Sequence, residues 1–103
     1  MTAKLIAMYR HPTDATAFDR YYYATHVPIA KRIPGLRSYE VTRGSIASLG
    51  GVSAYHLIAT LTFDSLGAIE AALASPQGQA TAADLAQFAN AGVDVFYADS
   101  NTI

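Results

Sequence analysis

From Tyr55 to Phe63 the chain alternates without interruption: Tyr55, Leu57, Ala59, Leu61 and Phe63 fall on one side, His56, Ile58, Thr60 and Thr62 on the other. A period-two run of this length is a strand, and both of its sides carry enough apolar surface to need cover. Three further stretches read the same way. Residues 3–9 are mostly apolar on both faces. Residues 36–43 alternate, with Arg37, Tyr39 and Val41 opposed to Ser38, Glu40 and Thr42. Val93, Val95 and Tyr97 mark a last strand. Two helical stretches separate them. The first starts at a Thr13 or Asp14 cap and repeats Phe18, Tyr22 and Thr25-His26 at helical spacing. The second is capped by Asp64-Ser65, restarts at Ser75-Pro76, and runs through Leu85 and Phe88 to about Asn90 before Ala91-Gly92 ends it.

The order is therefore βαββαβ. Two right-handed crossovers wind such a chain into an α+β fold, a four-stranded antiparallel sheet with both helices on one face, in the ferredoxin-like manner. The whole of residues 1–103 reads as one domain. The other sheet face is left bare and too apolar for water, which calls for a second sheet and hence a homodimer. Composition agrees, because half the residues are apolar and only 15% are charged, a low fraction for a small monomer with much surface to cover. Residues 44–53, with three glycines, three serines and no charge, read as a long mobile hairpin loop suited to act as a lid.

Several functional classes drop out. No cysteine is present, so there is no disulfide, thiolate nucleophile or thiolate metal site. A net charge of −1 gives no reason to expect nucleic acid. The charges are segregated, with all seven basic residues before residue 44 and only acidic ones after it, which suits an anionic ligand or, more commonly, complementary subunit faces. No apolar run is long enough to cross a membrane, and the first residues lead into a strand rather than a secretory signal, so a cytoplasmic location is expected. His11, His26 and His56 have no metal-ligand spacing, and no glycine-rich loop opens a helix to hold a phosphate. No metal and no cofactor are expected.

What remains is His26, in the run Thr25-His26-Val27-Pro28 after three consecutive tyrosines. Proline there predicts a helix ending near residue 24, a kink carrying His26, and a short helix over residues 28–33. An imidazole aimed from such a kink into a cleft suits proton transfer; the plainer role is a capping or core histidine.

Phe18-Asp19-Arg20-Tyr21-Tyr22, Thr25-His26-Val27-Pro28-Ile29-Ala30, Ile33-Pro34-Gly35-Leu36 and Tyr39-Glu40 together resemble the EthD family, and Phe63-Asp64-Ser65 and Ser75-Pro76 fit its second half. The resemblance covers nearly the whole chain. It implies the dimeric α+β barrel superfamily, whose members include cofactor-free monooxygenases, lactone isomerases, cyclases and haem-handling enzymes. The EthD family itself is associated only broadly with oxidoreductase functions. Similarity to the muconolactone-methylisomerase branch would place a histidine role on His26 and a tyrosine role on Tyr39. Haem handling fits poorly, since residues 65–90 contain no histidine. A shared fold does not fix the reaction.

His26 as base and Tyr39 as oxyanion donor are thus the candidate catalytic pair. Tyr9, Phe18, Tyr22 and Tyr55 are candidates for an apolar pocket wall, and Arg37 for a substrate carboxylate. Tyr21 and Tyr23 are expected at the surface or a subunit contact. The expected activity is a cofactor-independent oxidoreductase or isomerase acting on a small aromatic, phenolic or lactone-like metabolite. The alternative is a carrier that holds a hydrophobic product unchanged; a dimer with no ligand is a third reading.

Overall fold

In the computed structural model, which describes residues 1–103, strand β1 (Thr2–Arg10) leads into α1 (Ala15–Tyr21), a π-helical turn (Tyr22–His26) and α2 (Val27–Ala30). Next come β2 (Ser38–Val41), a small hairpin of β3 (Ala47–Ser48) and β4 (Gly51–Val52), and β5 (Tyr55–Phe63). Helices α3 (Leu66–Ala74) and α4 (Pro76–Phe88) and strand β6 (Val93–Ser100) complete the chain. The main sheet has the order β2-β5-β1-β6 and is antiparallel throughout, the ferredoxin-like topology that the βαββαβ order implies.

The two longest strands lie at the centre of the sheet. Ala3, Leu5, Ala7 and Tyr9 of β1 and Leu57, Ala59, Leu61 and Phe63 of β5 are buried beneath the helices, packed with Phe18, Tyr22, Ala30, Ile33, Ile69, Ala72 and Phe88. Ala7 lies directly opposite Ala59 in the ladder, so the middle of this sheet face is a floor of methyl groups with open space above it. On the reverse face nothing covers the sheet: Phe96, opposite Ile6, is 61% exposed.

The helix ends follow side-chain chemistry. Asp14 caps α1 by accepting from the Ala17 N–H, and Ser65 caps α3 by accepting from Ala68. Ser75 ends α3 and also caps α4, where Pro76 takes the first turn. Asp64 caps nothing and instead pairs with Arg37. Gly78 sits where α4 crosses α3, and a Cβ built on it would lie 2.0 Å from the Ala72 carbonyl oxygen. Only glycine lets the two helices meet there.

Three sequence expectations are corrected. First, the helix does not break at His26. Both His26 and Val27 stay in the α region, and the Val27 N–H donates to the Tyr22 carbonyl, five residues back. The wider turn displaces the carbonyl that the Pro28 ring would otherwise strike, so proline is absorbed by a π-bulge in place of a kink. Second, residues 44–53 do lie in the hairpin connection between β2 and β5, but they are not wholly loose, since β3 and β4 pair within them. Third, the alternation of β5 reverses near its start. Tyr9 pairs with Leu57 but Arg10 with Tyr55, so His56 is the extra residue of a β-bulge and the side of each residue before it is inverted.

Candidate functional site

His26 emerges from the π-helical turn into the core, 3% exposed, with its ring 4.7 Å from the Phe88 ring. Its Nδ1 lies 2.9 Å from Oδ2 of Asp84, on the facing helix α4. A carboxylate oxygen only accepts, so Nδ1 carries the proton and Nε2 is the lone-pair nitrogen. Burial is the largest influence on the imidazole and lowers its pKa below 6.5, against the opposing pull of Asp84. The pair at neutral pH is therefore a hydrogen bond from a neutral ring to a carboxylate, not an ion pair, and Nε2 is a standing base.

Nε2 faces a cavity of about 240 Å³ between the sheet and the helices. Tyr9, His26 and Tyr39 bring its polar atoms; Ala7, Ala59, Leu61, Gly78 and Leu85 are among the residues that make the rest apolar. The Tyr9 hydroxyl stands 3.5 Å from Nε2, too far to hold it firmly and close enough to share a ligand atom with it. The Tyr39 hydroxyl is 2.7 Å from that of Tyr22. Tyr22 is fully buried and does not line the cavity, so the arrangement that satisfies both has Tyr22 donating to Tyr39 and Tyr39 keeping its own proton for the cavity. Burial raises the pKa of Tyr9, Tyr22 and Tyr39 alike. All three stay protonated near neutrality and act as donors. No buried side-chain nitrogen or oxygen lacks a partner, and the short bonds from His26 to Asp84 and from Tyr22 to Tyr39 hold those groups before any ligand arrives.

The remaining candidates fall elsewhere. Phe18 stands behind the cavity, edge-on to Tyr9 at 5.5 Å, and is plain core. Arg37 lies outside, its guanidinium bound through two nitrogens to both oxygens of Asp64, and both side chains are largely exposed. The bulge turns Tyr55 away toward Arg10 and Asp94, to whose Oδ2 its hydroxyl donates at 2.9 Å. The same bulge swings His56 toward Phe18 and Asp19, where it lines a separate cleft of about 410 Å³ with His11, Tyr23, Tyr55 and residues of the 44–53 segment. That segment borders this cleft and not the His26 cavity, so it is no lid over His26.

Asp84 and Tyr21 escaped the sequence reading. Tyr21, expected at the surface or a subunit contact, donates to Oδ1 of Asp84 at 2.7 Å. One signal for Asp84 was there: it is the only charged residue of α4 and lies four residues before the buried Phe88, on the helix's inner face.

The depressed His26 pKa has a consequence for stability. The unfolded histidine takes up a proton near pH 6.5 and the folded one only below that, so stability is fully present above pH 6.5 and falls as pH drops through the folded value. Denaturant midpoints measured from pH 7.5 to 5.5 should decline in the native chain and decline less in His26→Gln. Equal slopes would show that His26 titrates as an exposed histidine does.

Comparison with known proteins matches an EthD domain to residues 10–92. A protein of Rhodococcus erythropolis, described as an uncharacterized 11.0 kDa protein in the thcB-thcC intergenic region, is 40% identical over 102 residues, 97% of this chain and 96% of its own. An EthD-family protein of Bacillus halodurans has a crystal structure that matches with a TM-score of 0.88 at 34% identity, over 98% of this chain and all of the other. The structure of SnoaB, a cofactor-independent oxygenase from Streptomyces nogalater, matches at a TM-score of 0.65 over 99% of this chain and 94% of its own; at 15% identity the likeness is one of fold. With a family match across most of its residues and two relatives above 30% identity over nearly its full length, the chain belongs to the EthD family.

Proposed function

We propose that this protein is a cofactor-independent enzyme that uses Nε2 of His26 to take a proton from a small, neutral, largely apolar ligand. The observation that carries this reading is the fixed tautomer: Asp84 holds the Nδ1 proton, and the base nitrogen opens into the cavity beside Tyr9. Nε2 would remove a proton from a phenol, or from a carbon next to a carbonyl, and the Tyr39 and Tyr9 hydroxyls would donate to the oxygen on which charge gathers. The anion can then be reprotonated at another atom, as in isomerisation, or react with dioxygen, as in an oxygenase-type oxidation. SnoaB, of related fold, is a cofactor-independent oxygenase, which favours testing the second outcome first.

The cavity narrows the ligand. At about 240 Å³ it lies below the usual range for drug-sized ligands and suits a single ring with small substituents. No lysine or arginine lines it, and Arg37, the candidate for a substrate carboxylate, is paired with Asp64 outside. A neutral phenol, quinol or lactone fits better than an acid. The uncovered sheet face around Ile6 and Phe96 supports a homodimer formed sheet to sheet.

A cavity-filling variant tests the reading. Ala59→Leu puts three more heavy atoms on the methyl floor, into existing space, and should leave the fold intact. Single-ring phenols and lactones should perturb the His26 ring signals of the native chain by NMR and be consumed, with oxygen uptake recorded in parallel. Ala59→Leu should lose both responses. A ligand that binds and is recovered unchanged would turn the reading to the carrier, and equal turnover by Ala59→Leu would remove the cavity from the chemistry.

A further inference from the structure

The π-helical turn does more than absorb Pro28. In an α-helix, residues five apart diverge by about 140° around the axis, so Tyr21 and His26 would face different neighbours. The i→i+5 bond between Tyr22 and Val27 widens the turn and draws such a pair toward one side. Here Tyr21 and His26 meet on one carboxylate: Tyr21 donates to Oδ1 of Asp84 at 2.7 Å and His26 Nδ1–H donates to Oδ2 at 2.9 Å. Each oxygen has its own donor, so the carboxylate has one settled orientation and cannot rotate to leave His26 without breaking the bond to Tyr21. Tyr21 is itself seated, its ring stacked on Phe88 at 5.3 Å, and Phe88 also packs on His26.

From this geometry we infer that Tyr21 is a positioning residue: held by the π-bulge, it clamps Asp84 and through it keeps His26 in the Nδ1–H tautomer that leaves Nε2 open to the ligand. The inference deepens the base role proposed for His26, yet the tautomer itself can be read without any substrate. Tyr21 does not line the His26 cavity, so it does not touch a ligand held there.

The test is Tyr21→Phe, which removes one hydroxyl and keeps the ring on Phe88. Nitrogen-15 NMR of the imidazoles reports the tautomer of each neutral histidine. In Tyr21→Phe the Nε2–H fraction of His26 should rise at least about threefold, as expected when one hydrogen bond ceases to hold the carboxylate. His11 and His56 should not change. Asp84→Asn should shift the His26 tautomer further in the same direction. Tyr23→Phe, in the same tyrosine run but with Tyr23 half exposed, should leave it unaltered. On any compound the native chain turns over, Tyr21→Phe should lower kcat by about three- to tenfold with KM unchanged. An unchanged His26 tautomer in Tyr21→Phe, or an equal change in Tyr23→Phe, overturns the clamp. A shifted tautomer in a chain that turns nothing over keeps the clamp and removes only the base role.

Discussion

Replacing Gly78 with alanine is expected to cost this protein about 3 kcal/mol or more, although alanine is the better helix former by about 1 kcal/mol. The added methyl would stand 2.0 Å from the Ala72 carbonyl oxygen and 2.8 Å from the Leu73 Cα. Both are backbone atoms, so no side chain can turn aside to make room. Helices α3 and α4 must separate, and Ser75, which joins them and caps α4, would be pulled from its hydrogen bonds to Ala72 and Gly78. The intrinsic gain in helix propensity is several times smaller than the packing loss. In a domain of this size, each kcal/mol lost lowers the melting temperature by about 4–8 °C, so a fall of roughly 12–24 °C should appear in thermal unfolding followed by circular dichroism. A melting point within a few degrees of the native value would mean that the helices part easily and the close approach is incidental. Because Gly78 also borders the His26 cavity, a folded Gly78→Ala chain should show altered ligand binding as well.

The second large effect is catalytic. His26→Ala should reduce turnover of any compound the native chain consumes by about two to four orders of magnitude, the usual contribution of a placed general base. That corresponds to roughly 3–5 kcal/mol of transition-state stabilisation. The substitution also hollows the core beside Phe88 and Tyr22, and a stability loss could by itself lower activity. Chemical rescue separates the two. The vacated space opens onto the cavity, so added imidazole should enter it and restore part of the rate in His26→Ala, but do nothing for His26→Gln, whose side chain still occupies the place. Full turnover by His26→Ala would end the assignment of His26 as base. A loss with no rescue, accompanied by a collapsed melting curve, would make its role structural.

The strands were legible in the sequence because strand patterns are short-range: β5 alternates cleanly from Leu57 to Phe63, and β1 is a nearly continuous apolar run. His26 was legible as a candidate from the proline beside it, whereas Tyr39 stood out through the family resemblance, on a strand that its alternation marks. Two of the failures share a cause, a single inserted residue. At Tyr22–His26 the extra residue widens a helix, and at His56 it bulges a strand. Neither alters composition or apolar content, yet each rotates every side chain on one side of it. Tyr55 was placed in the pocket for want of the bulge, and Tyr21 was sent to the surface for want of the π turn. Arg37 was read as free because Asp64 was taken for a cap. Asp84 shows a different limit: its partner lies 58 residues away, and nothing local says which helix faces which.

The place of β1 in the sheet bears on how the chain reaches this structure. Its two neighbours are β5 and β6, with Ala3 opposite Phe63 on one side and Asp99 on the other. During synthesis β1 therefore emerges ahead of both partners, and the earlier of them, β5, begins only at Tyr55. Pairings so distant in sequence close slowly, because a long loop must be ordered before any contact rewards it. Through that interval the segments able to shelter its Leu5 and Tyr9 are α1, the π turn and α2, whose Phe18, Tyr22 and Ala30 share the core with them. The aromatic contacts of Tyr9 with Phe18 and Tyr22, which later build the wall behind the cavity, would then be the first protection the nascent strand has against aggregation.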